Sequence, residues 1–212
     1  MADGLTGGNV ARGAASFSLS NRLERALFQV AWVLLAAWTP APLHRWRIAV
    51  LRLFGAQVAW NARLHGSARI WRPATLSIGA EALIGRGAGL YSMDRIDIGA
   101  GAVVSQRAHL CTGSHRLDDP EFRLITAPIR VAPRAWIAAE AFVGPGVSVG
   151  HGAVVAARAV TMRNVPPWQI VAGNPARQIG QRDLRSLPGA TARHGPAREQ
   201  EDSDARAEAG VY

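Results

Sequence analysis

Residues 110–115, with the sequence Leu-Cys-Thr-Gly-Ser-His, contain the side chain best suited to chemistry. An imidazole can gain or lose a proton near physiological pH, which makes His115 a candidate catalytic residue. The single cysteine, Cys111, excludes an internal disulfide and a cysteine-based zinc site. The other histidines fall in repeat turns, in a predicted helix or near the C-terminus, apart from His109, which precedes the inward Leu110 and should point outward. His115 is therefore the first catalytic candidate.

Four polar side chains on either side of His115 are candidates for contacting a substrate. Tyr91 and Asp94 precede it by about twenty residues, which is one structural repeat. Asp118 and Glu121 follow it directly. Carboxylates accept hydrogen bonds from hydroxyl groups, although such charges on a loop are often only solvated. Both interpretations stay open for these four residues.

Aliphatic residues six positions apart dominate the middle of the chain and must form the scaffold that positions these groups. Such hexapeptide repeats are typical of a parallel β-helix, in which three short strands complete each coil and one aliphatic residue per strand points inward. The predicted inward residues are Val58, Leu64, Ile70, Leu76, Ile78, Ile84, Leu90, Ile96, Ile98, Val104, Leu110, Val131, Ile137, Val143, Val149 and Val155.

The repeat loses its phase once, next to His115. Two earlier pairs, Leu76 with Ile78 and Ile96 with Ile98, set the length of one coil. The next such pair, Ile129 with Val131, comes about thirteen residues later than that length predicts. An insertion at about residues 114–127 must therefore project from the prism that the three faces of the β-helix form. Loops expelled from a rigid scaffold commonly carry function. His115 stands at this junction.

The composition predicts one hydrophobic core flanked by two disordered termini. The 212 residues suffice for one hydrophobic core. Residues 1–16 and 185–212 are rich in Gly, Ala, Arg and acidic residues, which predicts disorder. The net charge is +9, but the arginines form no tract or nucleic-acid motif, so we expect no nucleic-acid partner. A basic surface favours a phosphate-bearing ligand or an anionic membrane. Without a recognisable signal peptide, the expected location is the cytoplasm.

Residues 17–55 differ from the repeats and predict two short helices. Residues 26–38 are apolar apart from Gln29, but this run is too short to span a bilayer, which needs about twenty residues. One interpretation is that the helices cap the open end of the prism and cover its unpaired strand edges. The other is that they also lie on the inner face of the membrane, with Trp32, Trp38 and Trp46 near the headgroups.

Motifs along residues 17–180 resemble a known enzyme family. Residues 165–177, Val-Pro-Pro-Trp-Gln-Ile-Val-Ala-Gly-Asn-Pro-Ala-Arg, are similar to the end of the galactoside and maltose acetyltransferases. Residues 110–129, with Cys-Thr-Gly-Ser-His followed by Asp-Pro-x-Phe-x-Leu-Ile-Thr-x-Pro-Ile, resemble the colanic-acid-type acetyltransferases of exopolysaccharide biosynthesis. The resemblance implies a left-handed β-helix over residues 56–180 and a homotrimer with active sites between subunits. It also implies an O-acetyltransferase that uses acetyl-CoA and no metal, with His115 as general base toward a sugar or lipid-linked saccharide.

The resemblance also implies donor contacts, some of which depart from the family's pattern. Ala138 replaces the glycine of a Trp-Ile-Gly motif, Arg163 replaces a lysine that contacts phosphate, and Met162 replaces a threonine. Arg keeps the charge with a different geometry. The implied acetyl-CoA contacts are Trp136, Ala138, Ala157, Met162, Arg163, Asn174 and Arg177.

Two functions from other classes remain open at this point. A γ-type carbonic anhydrase shares the prism but needs three histidines around zinc, and His109 and His115 lack a convincing third. A non-catalytic scaffold or sugar-binding module is the other alternative.

Overall fold

The structure, a computed structural model, describes residues 17–183. The disorder predicted for residues 1–16 and 185–212 lies outside the described residues. Two helices come first: α1 (Leu19–Trp32), followed by a π-helical turn at Val33–Ala37, and α2 (His44–Leu53). Within residues 17–183, no helix has both the length and the apolar character needed to cross a membrane.

Short strands make up the rest of the described chain, with one 3₁₀ turn at Pro73–Thr75. Their bounds are β1 (Gln57–Val58), β2 (Arg63–Leu64), β3 (Arg69–Ile70), β4 (Leu76–Ile78), β5 (Leu83–Ile84), β6 (Gly89–Tyr91), β7 (Ile96–Ile98), β8 (Val103–Val104), β9 (His109–Cys111), β10 (Gly113–His115), β11 (Leu124–Thr126), β12 (Ile129–Val131), β13 (Trp136–Ile137), β14 (Phe142–Val143), β15 (Ser148–Val149), β16 (Val154–Val155), β17 (Val160–Thr161), β18 (Gln169–Ala172) and β19 (Arg177–Gln181).

Three parallel sheets form the faces of a prism, which confirms the predicted parallel β-helix. Face A has the order β1-β4-β7-β12-β15, face B has β2-β5-β8-β13-β16-β18, and face C has β3-β6-β9-β14-β17. From β1 to β9 and from β12 to β18, strands that succeed one another along the chain belong to different faces, and each coil pairs with the next. β19 closes face B by pairing antiparallel with β18.

The predicted inward residues stack in register and form the core. On face B, for example, Leu64, Ile84 and Val104 are successive partners, and each is at most 2% exposed. The corners between faces are tight. A Cβ atom at Gly99 would lie 2.5 Å from the nitrogen of Pro133, which is why glycine is required there.

Both helices pack against the first coil and supply hydrogen bonds to its open edge. Three side chains of the helices donate to backbone carbonyls, one on each face of the prism. The bonds run from Arg52 Nη1 to Val58 O (2.7 Å) on face A, from Arg47 Nε to Leu64 O (2.8 Å) on face B, and from Gln29 Nε2 to Ile70 O (2.8 Å) on face C. Strand-edge carbonyls that have no neighbouring coil thus find partners.

One antiparallel hairpin departs from the prism between β9 and β12. Its strands β10 and β11 pair with the register Gly113 to Thr126 and His115 to Leu124. Face A continues beneath it, since Ile96 and Ile129 are direct partners in β7 and β12. The hairpin is therefore an addition to an unbroken prism.

Candidate active site

His115 is exposed at the end of β10, and its ring is held by the opposite side of the hairpin. Its Nδ1 lies 2.5 Å from the backbone carbonyl oxygen of Phe122. A carbonyl can only accept, so Nδ1 must carry the proton of this bond. In the neutral ring, Nε2 is then left without a proton and can accept one. This is the arrangement that a general base requires.

The tip of the hairpin is organised by Asp119, a residue that the sequence analysis passed over. Its carboxylate is buried, pairs with the guanidinium of Arg123 and accepts the N–H of Glu121 at 3.0 Å. The hydrogen bond from Arg123 lowers the pKa of Asp119 below its ordinary value. In addition, the Phe122 N–H donates to the carbonyl of Asp119 at 2.8 Å. The Asp119–Arg123 pair thus shapes the turn that presents the Phe122 carbonyl to His115.

A local signal for this role was present in the sequence. An aspartate followed by proline often begins a turn, because its side chain accepts a backbone N–H two residues ahead. Asp119-Pro120 has this pattern, and the Glu121 N–H is the donor.

The four acceptor candidates occupy two different places. Asp118 and Glu121 are exposed at the tip of the hairpin. Tyr91 and Asp94 lie at the hairpin's base, where the Asp94 N–H donates to the hydroxyl of Thr112 at 3.0 Å. That hydroxyl in turn donates to the carbonyl of Tyr91 at 2.8 Å. The Tyr91 ring lies on the outer side of face C beside His109.

Three of the donor candidates lie on or beside face B. Trp136 in β13 is 44% exposed, and its indole N–H donates to the hydroxyl of Ser105 at 2.9 Å. Ala138 follows β13 and Ala157 follows β16, at the corner where the chain turns from face B to face C. Ala138 is buried, whereas Ala157 is exposed.

The other donor candidates lie near the last coils. Met162 and Arg163 follow β17 at the corner between faces C and A, the same corner from which the hairpin departs two strands earlier on face C. Arg163 and Arg177 are exposed and pair with no carboxylate within residues 17–183. Asn174 forms a cis peptide bond with Pro175 in the turn before β19. The donor candidates are thus divided between two corners of the prism.

Metal binding finds no support in the described part of the chain. Among residues 17–183, no three His, Cys, Asp or Glu side chains come together as metal ligands would. His109 lies on face C, where its ring stacks on Phe142 at 5.7 Å, while His115 lies on the hairpin. The pKa of His109 is lowered by burial and by the nearby charge of Arg69.

Comparisons with known proteins support the fold and find a relative that matches most of the chain. The chain is 37% identical over 178 residues to the "Putative colanic acid biosynthesis acetyltransferase WcaF" of Escherichia coli strain K12, a match that covers 84% of the chain and 96% of the relative. A galactoside acetyltransferase in complex with coenzyme A superposes with a TM-score of 0.71 at 19% identity, covering 81% of this chain and 86% of that one. A hexapeptide-repeat acetyltransferase from Vibrio cholerae in complex with acetyl coenzyme A gives 0.68 at 23% identity, covering 82% and 97%. No protein-family model matches the chain.

Proposed function

The chain belongs to the family of the colanic acid biosynthesis acetyltransferase WcaF, and we propose that it transfers the acetyl group of acetyl-CoA to a sugar hydroxyl during exopolysaccharide assembly. The observation that carries the proposal is the hydrogen bond from His115 Nδ1 to Phe122 O, which leaves Nε2 as the proton acceptor. His115 is exposed, so an acceptor hydroxyl can reach it. Residues 56–180 would form the acetyltransferase domain and residues 17–55 its cap.

The proposed reaction needs one base and no metal. His115 Nε2 takes the proton of the sugar hydroxyl while the hydroxyl oxygen attacks the thioester carbonyl of acetyl-CoA. The tetrahedral intermediate collapses, the C–S bond breaks, and the CoA thiolate leaves. The proton held on Nε2 then returns to the thiolate sulfur. The products are an O-acetyl sugar and CoA, and His115 is neutral again.

Acetyl-CoA carries phosphates that suit the unpaired arginines near the last coils. Arg163 and Arg177 are the proposed phosphate contacts, because guanidinium groups donate two parallel hydrogen bonds to a phosphate. The small residues Ala138 and Ala157 would line the path of the pantetheine arm, with Trp136, Met162 and Asn174 beside it. The chemistry of this donor set fits a phosphorylated, elongated ligand.

We propose that the enzyme works as a homotrimer. The support is the division of the donor candidates in one chain, where Ala138 and Ala157 lie at a different corner from Met162, Arg163 and the hairpin. A site assembled from one corner of each of two neighbouring copies would combine both sets.

The exposed side of the helices supports a peripheral contact with the cytoplasmic face of the inner membrane. Of the nineteen exposed large hydrophobic residues in the described part of the chain, eleven fall between residues 19 and 53: Leu19, Leu23, Leu27, Val30, Val33, Leu34, Leu35, Trp38, Leu43, Trp46 and Leu53. Many of these repeat at three- and four-residue intervals and thus form one stripe on α1. The exposed Arg22 and Arg45 beside it suit an anionic leaflet. A lipid-linked saccharide would meet the enzyme there.

The function is tested with purified full-length protein and radiolabelled acetyl-CoA. The acceptor is deacetylated exopolysaccharide, or its lipid-linked repeat unit, from a strain that lacks the gene. Label appearing as a base-labile ester in the saccharide supports the proposal. Release of CoA without label in the saccharide contradicts it.

A further inference from the structure

A large groove lies beside α1, on the first three coils of the prism. Its volume is about 1060 Å³, and it crosses the corner between faces B and C. Its walls include Arg69, Arg86 and Arg107 together with Trp71, Tyr91 and His109, and no acidic side chain lines it. Pockets for small molecules are commonly about 300–1,000 Å³, so this groove suits an extended ligand.

The positive charge of the groove is largely unneutralised. Arg107 pairs with Glu140, but Arg69 and Arg86 pair with no carboxylate within residues 17–183. Both of these guanidinium groups belong to exposed residues. A cleft lined by charges of one sign concentrates ligands of the opposite sign, and guanidinium groups bind carboxylates through paired hydrogen bonds.

A continuous row of aromatic rings forms the part of the groove on face C. The rings of Trp71 and Tyr91 lie 4.6 Å apart, and those of Tyr91 and His109 lie 6.2 Å apart. Burial and the charge of Arg69 lower the pKa of His109, which disfavours the charged form of its ring. The indole N–H of Trp71 is buried and has no hydrogen-bond partner within the described chain. Such a row offers flat apolar surface with polar edges.

The aromatic end of the groove adjoins the hairpin that carries His115. Tyr91 pairs in register with Cys111, which lies four residues before His115. The Thr112 hydroxyl donates to the Tyr91 carbonyl and links the two coils at this point. A long ligand in the groove would therefore extend toward the base of the hairpin.

We propose that this groove binds an acidic saccharide, with its carboxylates on Arg69 and Arg86 and its sugar rings against Tyr91 and its aromatic neighbours. This inference rests on the proposed function in one respect: it takes the bound saccharide to be the acceptor. Binding of the saccharide itself needs neither acetyl-CoA nor His115. Held in the groove, an acidic acceptor chain would gain affinity from units remote from the reacting hydroxyl.

The test measures binding by calorimetry on full-length protein at low salt, without acetyl-CoA. The probe is an oligomer of galacturonate, and its fully methyl-esterified form is the neutral control with the same backbone. We expect the acid form to bind at least tenfold more tightly than the ester. Arg69→Gln combined with Arg86→Gln should remove that difference, Tyr91→Leu should weaken both forms, and Arg130→Gln on face A should change neither.

Four outcomes would overturn the proposal. Equal binding of the ester would remove the role of charge, and an equal effect of Arg130→Gln would indicate unspecific attraction. If inorganic pyrophosphate at the same concentration fully displaced the galacturonate oligomer, Arg69 and Arg86 would form a phosphate site instead. A change of oligomeric state in the Arg69→Gln, Arg86→Gln variant, measured by light scattering, would make the groove an interface between copies. Because acetyl transfer is not measured, each result is independent of the proposed activity.

Discussion

The carbonyl oxygen of Phe122 lies 2.5 Å from Nδ1 of His115 and determines which ring nitrogen can accept a proton. Phe122 itself has a φ of 48°, in the left-handed region that non-glycine residues rarely adopt. That backbone conformation costs about 1–2 kcal/mol, and the Asp119–Arg123 pair helps to hold the turn that contains it. The proposed base is thus positioned by a backbone atom from the far side of the hairpin.

Breaking the Asp119–Arg123 pair should slow acetyl transfer. Arg123→Gln and Asp119→Asn should each lower kcat about tenfold with little change in the KM for acetyl-CoA, since they loosen the turn that holds the His115 ring. Arg116→Gln, in the same hairpin but without a side-chain partner in the described chain, is the matched control. Steady-state kinetics check this, and equal kcat values for Arg123→Gln and Arg116→Gln would contradict it.

The same pair predicts how the hairpin responds to acid. The pKa of Asp119 is lowered in the folded protein by its hydrogen bond from Arg123. Between the folded and unfolded pKa values of Asp119, the unfolded chain therefore binds more protons than the folded one. The stability that the Asp119–Arg123 pair contributes is lost only as the pH falls below the ordinary carboxyl value of 3.8. Hydrogen exchange of the hairpin amides should show unchanged protection from pH 7 to about pH 5. A loss of protection within that range, absent from Asp119→Asn, would contradict this.

The sequence predicted the prism far better than the site. Ile84, Val104 and Ile137 follow a repeat that only a stack of short parallel strands can bury, so periodicity alone specified the core. His115 was recognisable because the repeat loses its phase beside it. Its partner Phe122 was not, because the bond uses a backbone carbonyl whose direction no residue type encodes. The aromatic groove was also missed, since its residues are brought together by coil stacking rather than by spacing along the chain.

The cap should depend on the buried guanidinium of Arg47. It donates to the carbonyls of Leu64, Thr39, Pro40 and Ala41, at 2.7 to 3.1 Å. Arg47→Gln leaves several of these acceptors unpaired and should lower the free energy of unfolding by about 3–5 kcal/mol. Arg45→Gln, on the exposed side of the same helix, should stay within about 0.5 kcal/mol of the parent. Urea unfolding of both variants checks this, and equal stability would contradict the role of Arg47.

The proposed donor contacts predict a selective effect on acetyl-CoA binding. Arg163→Gln and Arg177→Gln should each raise the KM for acetyl-CoA about three- to tenfold and change kcat less, because contacts to phosphate are equally present in the ground state. Arg130→Gln is the control. Acetyl-dephospho-CoA should be insensitive to whichever arginine binds the 3′-phosphate. If both variants affect both donors equally, neither arginine binds that phosphate.

Membrane contact is best tested by point substitutions, because removing residues 17–55 would leave the carbonyls of Val58, Leu64 and Ile70 without donors. The parent protein should float with anionic liposomes at low salt. Leu23→Glu combined with Leu34→Glu should abolish flotation, since both side chains are exposed, Leu23 on α1 and Leu34 in the π-helical turn that follows it. Ile179→Glu, an exposed apolar residue of β19, should not. If the parent protein stays in the soluble fraction, the helices do not bind the membrane and serve only as a cap.

The central claim is that His115 is the general base, and single-turnover acetyl transfer by His115→Ala tests it most directly. The variant should keep its melting temperature and its affinity for acetyl-CoA, because the ring is exposed and its one hydrogen bond within residues 17–183 is to Phe122. Its rate of transfer should fall about 10²–10⁴-fold. His65→Ala, in an ordinary turn of the repeat, should retain the parent rate. Transfer by His115→Ala at the parent rate would contradict the account.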